Sequence, residues 1–163
     1  MPATEILCLK RHLNGYKENA AFWDTFNGND YWGAISKYYP HAKGQDPIGK
    51  DPKADACRYT VNLYDRSYSK KFTLCVGGLY HGGDFNGDND NLPEPLVKTT
   101  IPAGKYLRIV KPDSLEDFWE FNSFVHEQCL SAWGVGYSGN VQIVVSSFYG
   151  DRECNSVLLL SLD

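Results

Sequence analysis

The chain has 163 residues, 42% hydrophobic and 22% charged, with a formal net charge of −4, which suits one ordinary globular domain or two small halves sharing a core. No Lys/Arg run supplies the basic stripe of a nucleic-acid binder, no apolar stretch is long enough to span a membrane, and residues 1–11 lack a signal-peptide pattern. The single, scattered cysteines Cys8, Cys57, Cys75, Cys129 and Cys154 are odd in number and fit reduced thiols in the cytoplasm better than a disulfide framework or a structural zinc.

In chain order, residues 5–12 read as a first strand and Gly15 as a turn. Residues 20–39 carry Phe22, Trp23, Phe26, Trp32 and Ile35 at helical spacing, interrupted at Asn27-Gly28-Asn29, which predicts two short helices. Residues 40–52, rich in Gly and Pro, form a loop. Residues 59–64 and 71–76 have strand composition and predict a hairpin, and residues 77–95 a long loop.

The second half repeats this plan. Residues 97–110 begin as a strand broken by Pro102 and Gly104. Ser114, with Asp117 three residues on, predicts a helix start. Phe118, Trp119, Phe121, Val125, Cys129 and Leu130 line one helical face, and Trp133-Gly134 ends the helix. Residues 141–145 and 157–160 are strands, with residues 151–156 as the polar turn. The motif around Phe22-Trp23-Asp24 recurs at Phe118-Trp119-Glu120, each copy opening a helix. The expectation is an α+β fold of duplicated β-α-β-β units with pseudo-twofold symmetry, in one domain spanning residues 1–163. Its halves run over about 1–82 and 96–163 with a linker at 83–95, and the seam between them is a natural pocket.

Aromatic residues make up 14% of the chain and supply both core volume and flat surfaces for stacking. Trp23 and Trp119 read either as paired cleft walls or as core fillers. Tyr59 and Tyr106 face either the cleft or the helix, and Tyr80 belongs at a pocket mouth. Residues 84–90 alternate oxygen side chains as a calcium loop does. Asn89 stands where the turn glycine is needed and Pro95 where the final Glu is needed, with Glu94 one short, so the segment reads as a solvated linker. His126 and Cys129 lie three apart on the second helix but lack further metal ligands and an orienting partner for nucleophilic chemistry. No cofactor or metal is expected.

Residues 100–106, Thr-Ile-Pro-Ala-Gly-Lys-Tyr, resemble the Ile-Pro-Ala-Gly-x-Tyr signature that opens the second half of gyrase-inhibitor-like effector-binding domains. Trp23 with Phe26, the first-half hairpin with its terminal glycine, and Trp119 after the signature agree with that family. The resemblance covers essentially the whole chain. It implies antiparallel sheets and two main helices enclosing a cleft for drug-like, aromatic, often cationic molecules, in a module related to transcription regulators. With no length left for a DNA-binding domain, the chain resembles the single-domain forms carried as cassettes on mobile DNA.

The family places a buried Glu on the penultimate strand. Here Gln142, or Ser147 in a shifted register, stands there, and neither supplies a counter-charge to a buried cation. Glu120, Asp117 or Glu153 would have to take over, and a neutral aromatic ligand is an equal expectation. The expected ligand-binding residues are Trp23, Phe26, Tyr59, Tyr80, Tyr106, Trp119, Glu120 and Gln142. The resulting expectation is a binding protein rather than an enzyme, with a small aromatic partner, no nucleic acid or membrane, and room for a partner protein. Two alternatives are a hydrolase of strained-ring genotoxic compounds using Glu120 and an interaction module of gyrase-inhibitor type.

Overall fold

The computed structural model describes residues 1–37, 56–65, 70–80, 92–112 and 117–162. The first half runs β1 (Thr4–Leu13), a 3-10 turn (Tyr16–Glu18), α1 (Asn19–Gly28), α2 (Tyr31–Ser36), β2 (Ala56–Tyr64) and β3 (Phe72–Leu79). Then come β4 (Val97–Ile101), β5 (Tyr106–Val110), α3 (Phe118–Phe124), a π-helical turn (Val125–Cys129), α4 (Leu130–Trp133), β6 (Tyr137–Tyr149) and β7 (Arg152–Leu162). The predicted break in the first helix is present. Asp30 adopts the left-handed conformation (φ 50°), and its carboxylate accepts the Gly33 N–H at 3.2 Å to start α2. A Cβ on Gly33 would strike that carboxylate at 2.3 Å.

All described strand pairs are antiparallel, and seven strands form one sheet in the order β4-β1-β3-β2-β6-β7-β5. The order β1-β3-β2 is mirrored by β5-β7-β6, so the duplicated plan meets at the β2–β6 seam. Three boundaries differ from expectation. Strand β3 continues through Gly77 and Gly78 instead of ending in a loop, because those glycines pair with Cys8 and Leu7 of β1. Strand β4 pairs with β1 and so extends the first half's sheet, not the second's. Strand β7 begins at Arg152, the turn being held by Gly150 at φ 61°. The expected cap Ser114 and the calcium-like residues 84–90 lie outside the described residues.

The connection from β4 to β5 shapes the sheet. Ile101 and Tyr106 stand on opposite edges of seven strands. A flat sheet would hold its edges about 29 Å apart at roughly 4.8 Å per strand, whereas residues 102–105 bridge at most about 18 Å. The sheet therefore curls until its edges approach. Backbone bonds join them there, Gly104 N–H to Met1 O at 3.0 Å and Leu162 N–H to Lys105 O at 2.9 Å, and the Tyr106 hydroxyl donates to Pro102 O at 2.8 Å within the crossing itself. The inside of the curl is a largely apolar core of Ile6, Cys8, Tyr59, Val61, Cys75, Ile101, Ile143, Val145 and Leu159. Both helical layers pack on the outside. Phe22, Phe26 and Ile35 cover Leu7, Leu9, Phe72, Leu74 and Val76, while Phe121, Val125 and Leu130 cover Leu158 and Leu160.

Gly77 sits where β1 and β3 approach most tightly: a Cβ there would lie 1.8 Å from Leu7 O and 2.7 Å from Cys8 Cα. Backbone cannot yield as a side-chain tip does, so Gly77→Ala forces the strands apart. The expected loss is about 2–3 kcal/mol, an overpacking cost, measured as a lower urea midpoint with an unchanged m-value.

Candidate functional site

A cleft of about 650 Å³ opens on the outer face of the sheet, above the β2–β6 seam and between the two helical layers. Its floor follows from strand alternation. On β2, Arg58, Thr60, Asn62 and Tyr64 point into the cleft while Tyr59 and Val61 point into the curl. On β6, Gln142, Val144 and Ser146 point into the cleft while Ile143 and Val145 point away. Strand β7 contributes Glu153 through a register shift: Val145 pairs with Val157, but Ser146 pairs with Asn155. The extra residue reverses the alternation and brings Glu153 opposite Phe148, onto the cleft face.

The walls are helical. Helix α1 offers Asn19 and Trp23. Helix α3 and the π turn offer two stripes at intervals of four, Phe118-Asn122-His126 and Trp119-Ser123-Glu127. The π turn is closed by the Leu130 N–H bonded to Val125 O, five residues back. It lets the buried stripe step from Phe121 to Val125 and then to Leu130, keeping His126 and Glu127 over the sheet.

A column of planar groups crosses one end of the floor. The Arg58 guanidinium carbon lies 5.0 Å from the Trp23 ring centroid and 5.2 Å from that of Phe148. Phe148 stacks in turn on Trp32 at 5.4 Å. One Arg58 amino group donates to Glu153 Oε1 at 2.5 Å, and Arg58 Nε is buried with no hydrogen-bond partner among the described residues. Burial lowers the Arg58 pKa and Glu153 opposes the shift, so the guanidinium stays charged. At the other end, His126 Nε2 donates to Gln142 Oε1 at 3.2 Å, and the imidazole meets the edge of Tyr137. Burial lowers the His126 pKa, the bond to Gln142 offsetting part of the shift. Tyr64 and Tyr16 share a hydroxyl contact of 2.6 Å, and burial followed by that contact raises the Tyr64 pKa.

Of the eight residues expected at a ligand site, the structure brings Trp23, Trp119 and Gln142 to the cleft. Trp23 is half-buried, and Trp119 is 66% exposed at the rim. The other five do not line it. Phe26 is fully buried behind Trp23, edge-on at 5.6 Å. Tyr59 is fully buried inside the curl, because the apolar side of β2 faces inward. Tyr80 is buried at the end of β3 in the α1 core, with the Lys98 ammonium 4.9 Å over its ring. Tyr106 packs on the inner core and binds Pro102. Glu120 is on the exposed side of α3, one position beyond the outer cleft stripe. Ser147 also faces inward, 3.8 Å from Cys57 Sγ, which leaves Gln142 and Ser146 as the polar positions on the cleft side of β6. Arg58, Asn122 and Tyr137 have no place in the sequence reading, which names His126 only beside Cys129 and Glu153 only as a replacement counter-charge. The alternation of Arg58, Thr60 and Asn62 against Tyr59, Val61 and Leu63 was the available signal. Among the described residues, no three His, Cys, Asp or Glu side chains form a metal-sized group.

No protein-family model matches the chain, and no curated protein sequence matches it. Solved structures do. The chain is similar to SAV2435, whose structure was solved bound to tetraphenylphosphonium, with a TM-score of 0.64 and 7% identity over 99% of this chain and 88% of that one. It is also similar to a candidate bacterial transcription regulation protein from Staphylococcus aureus MU50, with a TM-score of 0.56 and 9% identity over 99% of this chain and 92% of that one. These likenesses show the fold, an α+β arrangement with an antiparallel sheet consistent with the gyrase-inhibitor-like domains.

His126 yields a pH prediction. Its folded pKa lies below the ordinary value of about 6.5, so the unfolded chain takes up this proton first as pH falls. Stability from the neutral imidazole is complete above about pH 6.5 and declines below it. The melting temperature of wild type is expected to drop between about pH 7 and 5 by an increment that His126→Gln lacks, read from the difference between the two curves.

Proposed function

We propose that this chain binds drug-sized, amphipathic aromatic molecules in the cleft between its halves, for sensing or sequestration. The carrying observation is the cleft itself, about 650 Å³ with Trp23 and Trp119 at its walls and polar side chains on its floor. Small-molecule sites usually have volumes of about 300–1,000 Å³ with few, well-placed polar groups. That SAV2435 was captured with tetraphenylphosphonium supports the reading. In this reading Trp23 and Trp119 are stacking surfaces and Gln142 fixes orientation. The chain works as one domain in the cytoplasm, as a transcription-regulator-related module without DNA contacts of its own.

Hydrolysis through Glu120 finds no support in that residue's position, since it points to solvent on α3. The carboxylates at the cleft are Glu127 and Glu153, and Glu153 is bound to Arg58. An interaction module without a deep pocket fits poorly with the opening that α1 and α3 frame.

The test is a thermal-shift screen of aromatic compounds with tryptophan-emission titration of the hits. A ligand present at 100 times its Kd stabilises the native state by about 2.7 kcal/mol, which raises Tm by several degrees. Trp119→Ala is expected to weaken a hit about fivefold, the size of one stacked aromatic pair. Unchanged affinity would remove Trp119 from the site.

A further inference from the structure

The proposed ligand site already contains a cation of its own. Arg58 lies at the deep end of the cleft, its side chain 13% exposed, with the guanidinium between the Trp23 and Phe148 rings. That is the place a ligand cation would take on the half-buried tryptophan. A second positive charge brought there would lose the ring face and meet a like charge in a poorly solvated corner.

The remaining groups point the same way. Glu153 bonds one Arg58 nitrogen and is 36% exposed, so the negative end of the pair lies outward of the positive end. The other acidic lining residue, Glu127, is exposed at the rim, as is Lys70. Gln142 has its oxygen occupied by His126, so what it turns to a ligand is the amide N–H₂ group. The floor therefore offers donors at both ends, and at its Arg58 end the positive member of the ion pair lies deeper than the negative one. Guanidinium presents five N–H groups in a planar fork that matches a carboxylate.

We infer that the cleft selects aromatic carboxylates, with Arg58 as the anion-binding group, Gln142 as a donor toward the far end of the ligand and Glu153 as the counter-ion that an incoming carboxylate displaces or shares. This rests on the ligand-binding reading above and narrows it to one ligand class. It also reverses the charge preference expected from the family resemblance.

The experiment is calorimetric titration of the full chain with three pyrene probes of one ring system: 1-pyrenecarboxylate, 1-pyrenecarboxamide and 1-pyrenylmethylammonium. The carboxylate is expected to bind about tenfold or more tighter than the ammonium, with the amide between. Arg58→Gln should bring carboxylate and ammonium within about twofold of each other. Glu153→Gln keeps Arg58 and removes its counter-ion, so it should tighten the carboxylate several-fold, and it tests the idea even where Arg58→Gln fails to fold. Ammonium binding as well as or better than carboxylate overturns the inference and leaves the binding reading standing. So does a Glu153→Gln variant with unchanged or weaker carboxylate affinity. Failure of all three probes, with no shift in melting temperature, overturns both.

Discussion

Between Ile101 and Tyr106 the chain crosses from one edge of its sheet to the other, and the curl this enforces organises everything else. A curled sheet has an inside small enough to be filled by its own side chains, so no helix is needed there. Both helical layers are left for the outside. A convex surface splays whatever packs on it, and α1 and α3 stand apart above the β2–β6 seam. The cleft is the gap between them. The Ile-Pro-Ala-Gly segment thus acts on the site at a distance, by fixing the curvature of the floor. Pro102 and Gly104 suit a crossing that must turn sharply and leave its backbone groups to pair with Met1 and Tyr106.

Much of this was legible in the sequence and some of it could not be. Alternation marked the strands, aromatic spacing marked the helices, and the repeated Phe-Trp motif marked the duplication. Trp23, Trp119 and Gln142 follow from those patterns. Tyr59 shows the limit. Alternation divides β2 into two faces, but which face meets the cleft depends on pairing with β6, some eighty residues away in the chain. The polar face of β2 is the cleft face, so the polarity of Tyr59's neighbours, and not its own ring, marks which side lines the site. Glu153 shows another limit. Its side of β7 is set by one extra residue in the ladder, and counting by twos from Leu159 places it in the wrong layer. On the second helix Trp119 belongs with Ser123 and Glu127 and not with the buried Phe121 and Val125, because two residues of α-helix turn a side chain to about the opposite face.

The chemistry of the floor follows from a balance between burial and partners. A guanidinium this far from water survives because it is flanked by two ring faces and bonded to a carboxylate. Each support comes from a different element: Trp23 from α1, Phe148 from β6 and Glu153 from β7. Arg58 therefore ties the first half's helix to the second half's hairpin across the seam, and its charge is held by the fold as a whole. Gln142 is similarly fixed by His126, whose position depends on the π turn.

Trp23 and Trp119 began as copies of one motif but now stand under different constraints. Trp23 is locked by Phe22, Phe26 and Arg58, so a change there disturbs the first half's core. Trp119 is two-thirds exposed at the rim. The two copies thus differ in how firmly the fold holds them, one built into the core and the other free of it. Substitutions along the outer stripe of a single helix would reshape one wall of the cleft at little cost in stability.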